Sequence, residues 1–205
     1  MKKLTLLFGF IIVLFSAGSA FGQKQELAGT IGALKPSDKT FDLPTPGTLQ
    51  FDAGFTYQIN YARRFFNARL AALYVEFPFV GTPTTNINSA NALSPRSYST
   101  IFFAPGVRLK IAPGFKYSPY AVVGGGLGRF SESNNTNNGL PNPNSGSHVE
   151  GVFDFGGGLD VRLIPLVSLR GEIRDFYSGV PPLNVSGLKG REHNALFSAG
   201  VVLRF

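Results

Sequence analysis

Residues 48–61 alternate strictly between two kinds of side chain, and this pattern limits the folds open to the chain more than any other feature. Every second residue from Leu49 to Tyr61 is apolar or aromatic, and the residues between them are polar or glycine. A period of two predicts a β-strand with two unlike faces. In a soluble sheet the apolar face packs against a core, whereas a membrane barrel turns it toward lipid. The question is which face lies inside.

The N-terminal 22 residues have the order of a secretory signal peptide: two lysines, an apolar run from Leu4 to Phe15, and a small-residue end. An uncleaved anchor helix is disfavoured, because the apolar run is shorter than the roughly 20 residues needed to span a bilayer. We therefore expect residues 1–22 to be removed and residues 23–205 to form one exported domain. The absence of cysteine excludes a disulfide framework and a thiolate metal site.

Eight segments have the composition and periodicity of strands: 26–34, 48–61, 67–79, 98–111, 119–131, 148–163, 167–177 and 193–205. The connections between them are alternately long and short. Long loops at one end and short turns at the other are the layout of outer-membrane barrels. The sequence thus predicts an all-β fold, an eight-stranded antiparallel up-and-down transmembrane β-barrel. Pro105 falls inside the fourth segment, where we expect a bulge or a register break, because proline donates no ladder hydrogen bond.

The charged residues indicate which face is inside. Alternation assigns six acids and six bases to the polar faces: Asp52, Glu76, Glu150, Asp154, Asp160 and Glu172, with Arg108, Lys110, Arg162, Arg170, Arg174 and Arg204. A narrow lumen explains this balance, because buried charges are tolerated only when paired and hydrogen-bonded. We predict that these residues close the lumen and that Phe51 and Phe55 face lipid. A secreted, lipocalin-like barrel with its apolar face inside has the same periodicity and stays as the alternative.

The chain ends in FSAGVVLRF, with apolar residues at alternate positions that include Phe197, Val201, Leu203 and Phe205. This end resembles the terminal strand signal of Gram-negative outer-membrane proteins, which the assembly machinery reads. Together with the eight segments, the chain resembles the small eight-stranded outer-membrane barrels of the OmpA/OmpX type. The resemblance implies a location in the cell outer membrane and the assembly machinery as a partner in biogenesis. The sequence departs from the OmpA pattern in having no peptidoglycan-binding domain after the barrel.

Three functions are open to such a barrel. The first is a structural or surface-interaction role, and the second is a narrow solute or ion pore. Arg170, Glu172 and Arg174 share one strand face and suit a gate or a plug; we favour the plug, because eight strands leave a lumen just wide enough for side chains. The third is a lipid A-modifying enzyme at the membrane rim. His193 has Ser198 on the opposite strand face, so we assign no catalytic residue, metal or cofactor.

The expected partners follow from the remaining charge. Because the predicted lumen set is balanced, the basic surplus lies in loops and turns, where anionic lipid head groups are the nearest counter-charge. We therefore expect contact with outer-membrane lipids and lipopolysaccharide. Nucleic acid is not expected, since the chain is exported and has no basic run. An unidentified ligand at the long loops stays open.

Overall fold

The computed structural model describes residues 24–41, 47–143, 145–184, 188 and 190–205, so the predicted signal peptide and its cleavage site lie outside the described residues. The described chain forms twelve strands. They are β1 (Gln25–Pro36), β2 (Lys39–Phe41), β3 (Gly47–Phe51), β4 (Gly54–Asn67), β5 (Ala71–Ser89), β6 (Ser97–Phe103), β7 (Gly106–Ile111), β8 (Tyr117–Glu132), β9 (Ser147–Ile164), β10 (Val167–Gly179), β11 (Arg191–Glu192) and β12 (Asn194–Arg204). Within the described ranges, no helix has the length and apolar character to cross a membrane.

Eight strand positions form a closed ring, and each is called a wall of the barrel; β6 and β7 together make one of them. β1 pairs with β4 on one side and with the last strand, β12, on the other, and both pairings are antiparallel. The ring continues from β4 through β5, the β6–β7 wall, β8, β9 and β10 to β12, with each wall antiparallel to the next. The predicted fold class, an all-β eight-stranded up-and-down barrel, is confirmed.

The walls are joined by long loops at one end and short turns at the other, as the sequence predicts. The loops are L1 (37–53, with β2 and β3), L2 (90–96), L3 (133–146) and L4 (180–193, with β11). The turns are T1 (68–70), T2 (112–116) and T3 (165–166). Both termini of the barrel lie at the turn end, where the backbone NH of Gln25 donates to the carbonyl of Phe205 at 2.9 Å.

The fourth wall is broken at Pro105, which confirms the predicted irregularity. β6 ends at Phe103 and β7 begins at Gly106, while β8 runs unbroken beside both. The Pro105 carbonyl accepts a hydrogen bond from Gly125 at 3.0 Å. At Gly126 a Cβ would overlap the carbonyl oxygen of Phe103, so the glycine run of β8 permits close backbone approach at the break.

The alternating segment 48–61 is two strands and not one. β3 ends at Phe51 and β4 begins at Gly54. Between them the alternate apolar side chains change from the buried side to the outer side. Phe51 is buried above the lumen, whereas Phe55 is 61% exposed on the outer wall. The prediction that both phenylalanines face lipid is therefore wrong for Phe51. The physical reason is that β3 belongs to a hairpin with β2, which pairs with the far end of β5 and turns its apolar side inward over the barrel.

The outer surface of the barrel wall is apolar. Its exposed large side chains include Leu27, Ile31, Phe55, Ile59, Phe77, Phe79, Ile101, Phe103, Leu109, Val123, Leu127, Phe153, Phe155, Leu159, Leu169, Ile173, Phe197 and Val201. A continuous exposed band of this kind suits hydrocarbon and not water. The apolar face of the wall strands is thus the outer face, and the lipocalin-like alternative is wrong.

Candidate functional site in the barrel lumen

Ten charged side chains are buried inside the barrel, from the turn end to its middle. They are Glu26, Glu76, Asp154, Asp160 and Glu172, with Arg108, Lys110, Arg170, Arg174 and Arg204. Nine of the ten belong to the predicted charge network, and five acids face five bases. Each side chain points inward because it stands on the inner parity of a strand whose alternate residues face lipid.

One half of the network is built around Asp160 on β9. Arg170 on β10 donates to both carboxylate oxygens, with Nε at 2.8 Å and Nη2 at 2.9 Å. Lys110 on β7 lies 2.8 Å from the same carboxylate and 2.5 Å from that of Glu26 on β1. Four walls of the barrel are thereby connected across the lumen. A bidentate arginine–carboxylate pair is among the strongest side-chain contacts, so this half is rigid.

The other half is built around Arg174 on β10. Its guanidinium pairs with Glu76, lies 2.6 Å from Asp154, and lies 3.1 Å from Glu172. Glu172 also accepts hydrogen bonds from the Tyr120 hydroxyl at 2.7 Å and from the Gln58 amide at 2.9 Å. The carboxylates are therefore held from several walls at once.

Arg108 joins the two halves. Its Nη1 lies 3.2 Å from Glu26, and its Nη2 pairs with Glu76. The guanidinium also lies 4.8 Å from the ring centre of Tyr120, which adds a cation–π contact. The result is one continuous network of buried side chains that connects the walls across the lumen.

Three predicted members are not in the network. Asp52 is exposed in L1 and accepts a hydrogen bond from Asn88 at 3.1 Å, so its assignment to the lumen is wrong. It stands at the reversal of facing between β3 and β4, where strand parity no longer applies. Glu150 is half-buried near the loop end of β9, and Arg162 is half-buried at the turn end, where it donates to the carbonyls of Pro113 and Gly114.

Glu26 is the network residue that the sequence interpretation missed. The first segment is short and contains glycine, which weakens the alternation that would assign Glu26 to the lumen. The signal was present, since Leu27, Gly29, Ile31 and Ala33 alternate with Glu26 and the other inward residues. Glu26 takes the place of Asp52 in the charge balance.

An apolar plug fills the lumen at its loop end. It consists of Leu34, Phe41, Leu49, Phe51, Val80, Ile87, Tyr98, Phe102, Ala104, Phe130, Val152, Phe176, Leu183 and Leu196. The rings of Phe102 and Phe176 are parallel, with centroids 4.8 Å apart, and Phe130 meets Phe102 edge-on at 5.7 Å. L1 and L4 close the plug from above through Phe51 and Leu183. The lumen is therefore filled at two levels, one ionic and one apolar.

Glu192 in L4 is a buried carboxyl without a hydrogen-bond partner among the described side chains and backbone. Burial raises its pKa to about 8, against a smaller opposing effect of the Lys39 ammonium in L1. The Lys39 ammonium donates to the carbonyl of Arg191 at 2.5 Å, which holds the two loops together. A neutral carboxyl suits this site, because an unpaired buried charge is costly.

Both histidines lie at the loop ends of strands. Nε2 of His148 is 3.7 Å from Glu132, and Nδ1 of His193 is 2.5 Å from Asp175. Among the described residues, no hydroxyl hydrogen-bonds to the other ring nitrogen of His193. Ser198 stands on the other face of β12, as expected. The arrangement therefore contains an oriented imidazole without a paired nucleophile.

The loop surface carries a polar pocket of about 530 Å³. It is lined by Asp52, Asn86, Ile87, Asn88, Arg96, Asn137, Asn138 and Gly139, from L1, β5, L2 and L3. Ile87 is apolar and Gly139 contributes only backbone, while the other six lining residues offer side-chain amide, carboxylate or guanidinium groups. Such a lining suits a ligand with many hydrogen-bonding groups.

Comparison with known proteins yields matches at the level of structure. No protein-family model matches the chain, and no curated protein matches its sequence. Neisserial surface protein A is 17% identical with a TM-score of 0.52, over 88% of this chain and 97% of that one. OprG from Pseudomonas aeruginosa is 10% identical with a TM-score of 0.55, over 90% and 98%. Ail, the attachment invasion locus protein of Yersinia pestis, is 13% identical with a TM-score of 0.50, over 89% and 99%.

The fold and its apolar outer face define a class of structure: the chain is a small eight-stranded up-and-down β-barrel, the fold of the outer-membrane proteins to which it is similar. In this class the short turns face the periplasm and the long loops face the cell exterior. On that layout we expect L1–L4 to be extracellular and T1–T3 to be periplasmic. The two lumen plugs span the barrel between these surfaces.

Proposed function

We propose that the protein is a non-conducting outer-membrane barrel whose extracellular loops form a binding surface. The observation that carries the proposal is the double closure of the lumen, with a ten-residue ionic network below an apolar plug. A conducting pore needs a continuous polar path, and side chains fill this one at both levels. The barrel then serves as a scaffold, and the chemistry available to partners lies on the loops.

The loops are connected to one another, as a binding surface requires. The backbone NH of Arg96 in L2 donates to the carbonyl of Asn135 in L3 at 3.0 Å. Asn184 in L4 donates to Leu93 in L2 at 3.2 Å and to Asn142 in L3 at 2.7 Å. Cross-linked loops lose less conformational entropy when they bind a ligand than free loops do.

The polar pocket between L1, L2 and L3 is the part of this surface to which we assign binding. Asp52 and Arg96 supply one charge of each sign, and the Nδ2 atom of Asn137 is buried without a hydrogen-bond partner among the described residues. A hydroxyl-rich ligand such as a saccharide matches this mixture of donors and acceptors. Lipopolysaccharide and external glycans both carry such groups.

Planar-bilayer recording tests the closed lumen. We expect the folded protein to give no conductance steps above those of protein-free bilayers, at neutral pH and either voltage sign. Reproducible unitary steps in the wild-type protein would favour the solute-pore alternative over this proposal.

Binding of the folded protein to a glycan array tests the loop surface. We expect a bound class whose signal falls with Arg96→Ala and persists with Arg129→Ala, because Arg129 lies on the outer wall away from the pocket. A signal that is absent, or equally sensitive to both changes, would contradict the assignment of the pocket.

A further inference from the structure

A second pocket lies at the periplasmic mouth of the barrel, and its charged lining residues are all cationic. It has a volume of about 530 Å³ and is lined by Arg64, Asn67, Ala68, Arg69, Pro113, Gly114 and Arg162. Three arginines from β4, T1 and β9 line it, and no carboxylate does. The periplasmic turns also lack acidic residues, since T1, T2 and T3 read ARL, APGFK and PL.

Arg162 is fixed in place but keeps its charge. Its Nη2 donates to the carbonyl of Pro113 at 2.7 Å and its Nη1 to that of Gly114 at 2.8 Å. Its Nε is buried and has no hydrogen-bond partner among the described residues. Carbonyl groups orient a guanidinium without neutralising it. The pocket thus contains a preorganised positive charge, which lowers the entropy cost of binding an anion.

Arg204 lies beside this mouth but belongs to the charge network of the lumen. Arg204, next to the mouth, is 5% exposed, and its three side-chain nitrogens have no hydrogen-bond partner among the described residues. Its distances to Glu26 and Asp160 are 3.4 and 3.6 Å, and both carboxylates are more closely held by Lys110. Arg204 and Arg162 are near enough for their charges to repel.

Large apolar side chains are exposed in the segments that adjoin the lining residues of the cationic pocket. Phe65, Phe66 and Leu70 beside T1 are 59%, 54% and 65% exposed, and Phe115 in T2 is 58% exposed. Aromatic residues at this level are typical of the girdle at a membrane interface. An anion that arrives in the pocket therefore meets hydrocarbon-compatible surface at its edge.

We propose that this cationic pocket binds a phosphate ester, with the head group of an anionic phospholipid of the periplasmic leaflet as the favoured source. Guanidinium groups match phosphate oxygens in pairs, and three arginines from different directions suit a tetrahedral anion better than a planar carboxylate. The pocket is larger than a phosphate ion, which leaves room for the esterified group. The flanking phenylalanines and Leu70 would contact the acyl chains.

Native mass spectrometry of the detergent-folded full chain tests the proposal. The probes are phosphatidylglycerol, the diacylglycerol with the same acyl chains, glycerol phosphate and inorganic phosphate. We expect phosphatidylglycerol to bind with one-to-one stoichiometry and diacylglycerol to bind at least about tenfold more weakly, since charged hydrogen bonds are lost with the phosphate. Binding of glycerol phosphate or inorganic phosphate with equal affinity would keep the phosphate site but identify a soluble source.

Two substitutions and one matched control locate the site. Arg69→Gln and Arg162→Gln should each weaken phosphatidylglycerol binding by about tenfold. Lys116→Gln removes the same charge from exposed T2 outside the pocket and should change binding less than twofold. Arg69 is exposed in a turn, so its variant tests the site even if Arg162→Gln folds poorly, which anomalous gel mobility before and after boiling reveals. Equal binding of phosphatidylglycerol and diacylglycerol, or equal effects of Lys116→Gln and Arg69→Gln, would overturn the proposal.

Discussion

At the scale of single residues, the side of the wall on which a side chain lies decides its environment. Ile59 in the middle of β4 is 56% exposed on the outer face, while its neighbours Gln58 and Asn60 are buried in the lumen. A change of one position along a strand therefore exchanges hydrocarbon for a hydrogen-bonded polar interior.

Ile59→Arg tests the lipid face. An arginine on the lipid side of a barrel near the midplane costs about 2–4 kcal/mol. We expect the free energy of unfolding in phospholipid vesicles, measured by urea titration, to fall by that amount, while Ile59→Leu leaves it within about 1 kcal/mol. A tolerated Ile59→Arg would place this face away from hydrocarbon.

The Arg170–Asp160 pair tests the ionic network. Removing one partner breaks the bidentate pair and leaves the buried network with an unbalanced charge, so Arg170→Met should lower the free energy of unfolding by about 3–5 kcal/mol. Adding Asp160→Leu should cost less than the sum of the two single changes, because the double variant removes both charges together. Strict additivity in this double-mutant cycle would show that the two side chains are not coupled.

At the scale of elements, L4 behaves as the lid of the apolar plug, and its stability depends on pH through Glu192. The pKa of this carboxyl is raised from 4.5 to about 8 in the folded chain. The contribution of neutral Glu192 to the stability of the closed loop is fully present below pH 4.5. It declines above pH 4.5 as this carboxyl ionises in the unfolded chain, and it is lost as the pH rises through about 8. We expect faster amide exchange in β11 at pH 8.5 than at pH 5.5, after correction for intrinsic rates.

Glu192→Gln is the matched control, because its amide is neutral at both pH values. We expect the corrected exchange rates of β11 to become independent of pH in this variant. Lys39 lies in the same contact and is unchanged in this variant, so an effect supplied by Lys39 would survive the substitution. A pH dependence that survives the substitution would assign it to another group.

The elements show how far sequence reasoning reaches and where it stops. The existence of all eight wall strands and the break at Pro105 follow from period-two patterning and from the missing proline donor. The bounds follow less well, since β4 continues to Asn67 and β5 to Ser89, beyond the predicted ends at residues 61 and 79. The reversal at Asp52–Ala53 does not, because apolar residues continue at alternate positions while their partner changes from lipid to the plug. The apolar character of Leu49 and Phe51 is the same in both environments, so periodicity cannot distinguish them.

Most of the lumen charges can be predicted from the sequence, because strand periodicity identifies the residues on the polar face. Burial of alternating acids and bases along strand middles requires mutual pairing, which identified Glu76, Arg108, Arg174 and their neighbours. Which charges pair is set by the tilt and stagger of the walls, and the sequence does not contain these directly. The cationic pocket cannot be predicted from the sequence, because Arg64, Arg69 and Arg162 come together only when the ring closes.

At the scale of the whole molecule, closure of the ring between β1 and β12 joins the two ends of the chain. Eleven residue pairs connect the strands, from Glu26 opposite Arg204 to Pro36 opposite Asn194. These contacts are remote in sequence, so the loop-closure entropy is lost before they form. We propose that an assembly signal at the C-terminus acts at this closure step in the cell.

Variants of Phe205 allow the effect on assembly and the effect on stability to be measured separately. Its backbone NH donates to the carbonyl of Gln25 at 3.0 Å, but the residue is half-exposed at the periplasmic end and its side chain is not in either described apolar cluster. Deleting Phe205 should thus lower the free energy of unfolding in detergent by only about 1–2 kcal/mol, the cost of one or two hydrogen bonds and partial burial.

We expect the yield of protein in the outer membrane to fall severalfold, and Phe205→Tyr to retain the yield because the terminal aromatic is kept. Quantitative immunoblotting of outer-membrane fractions measures the yield, and urea unfolding of the refolded chain measures stability. Equal yields of the truncated and full chains would show that the terminal residue has no role in assembly.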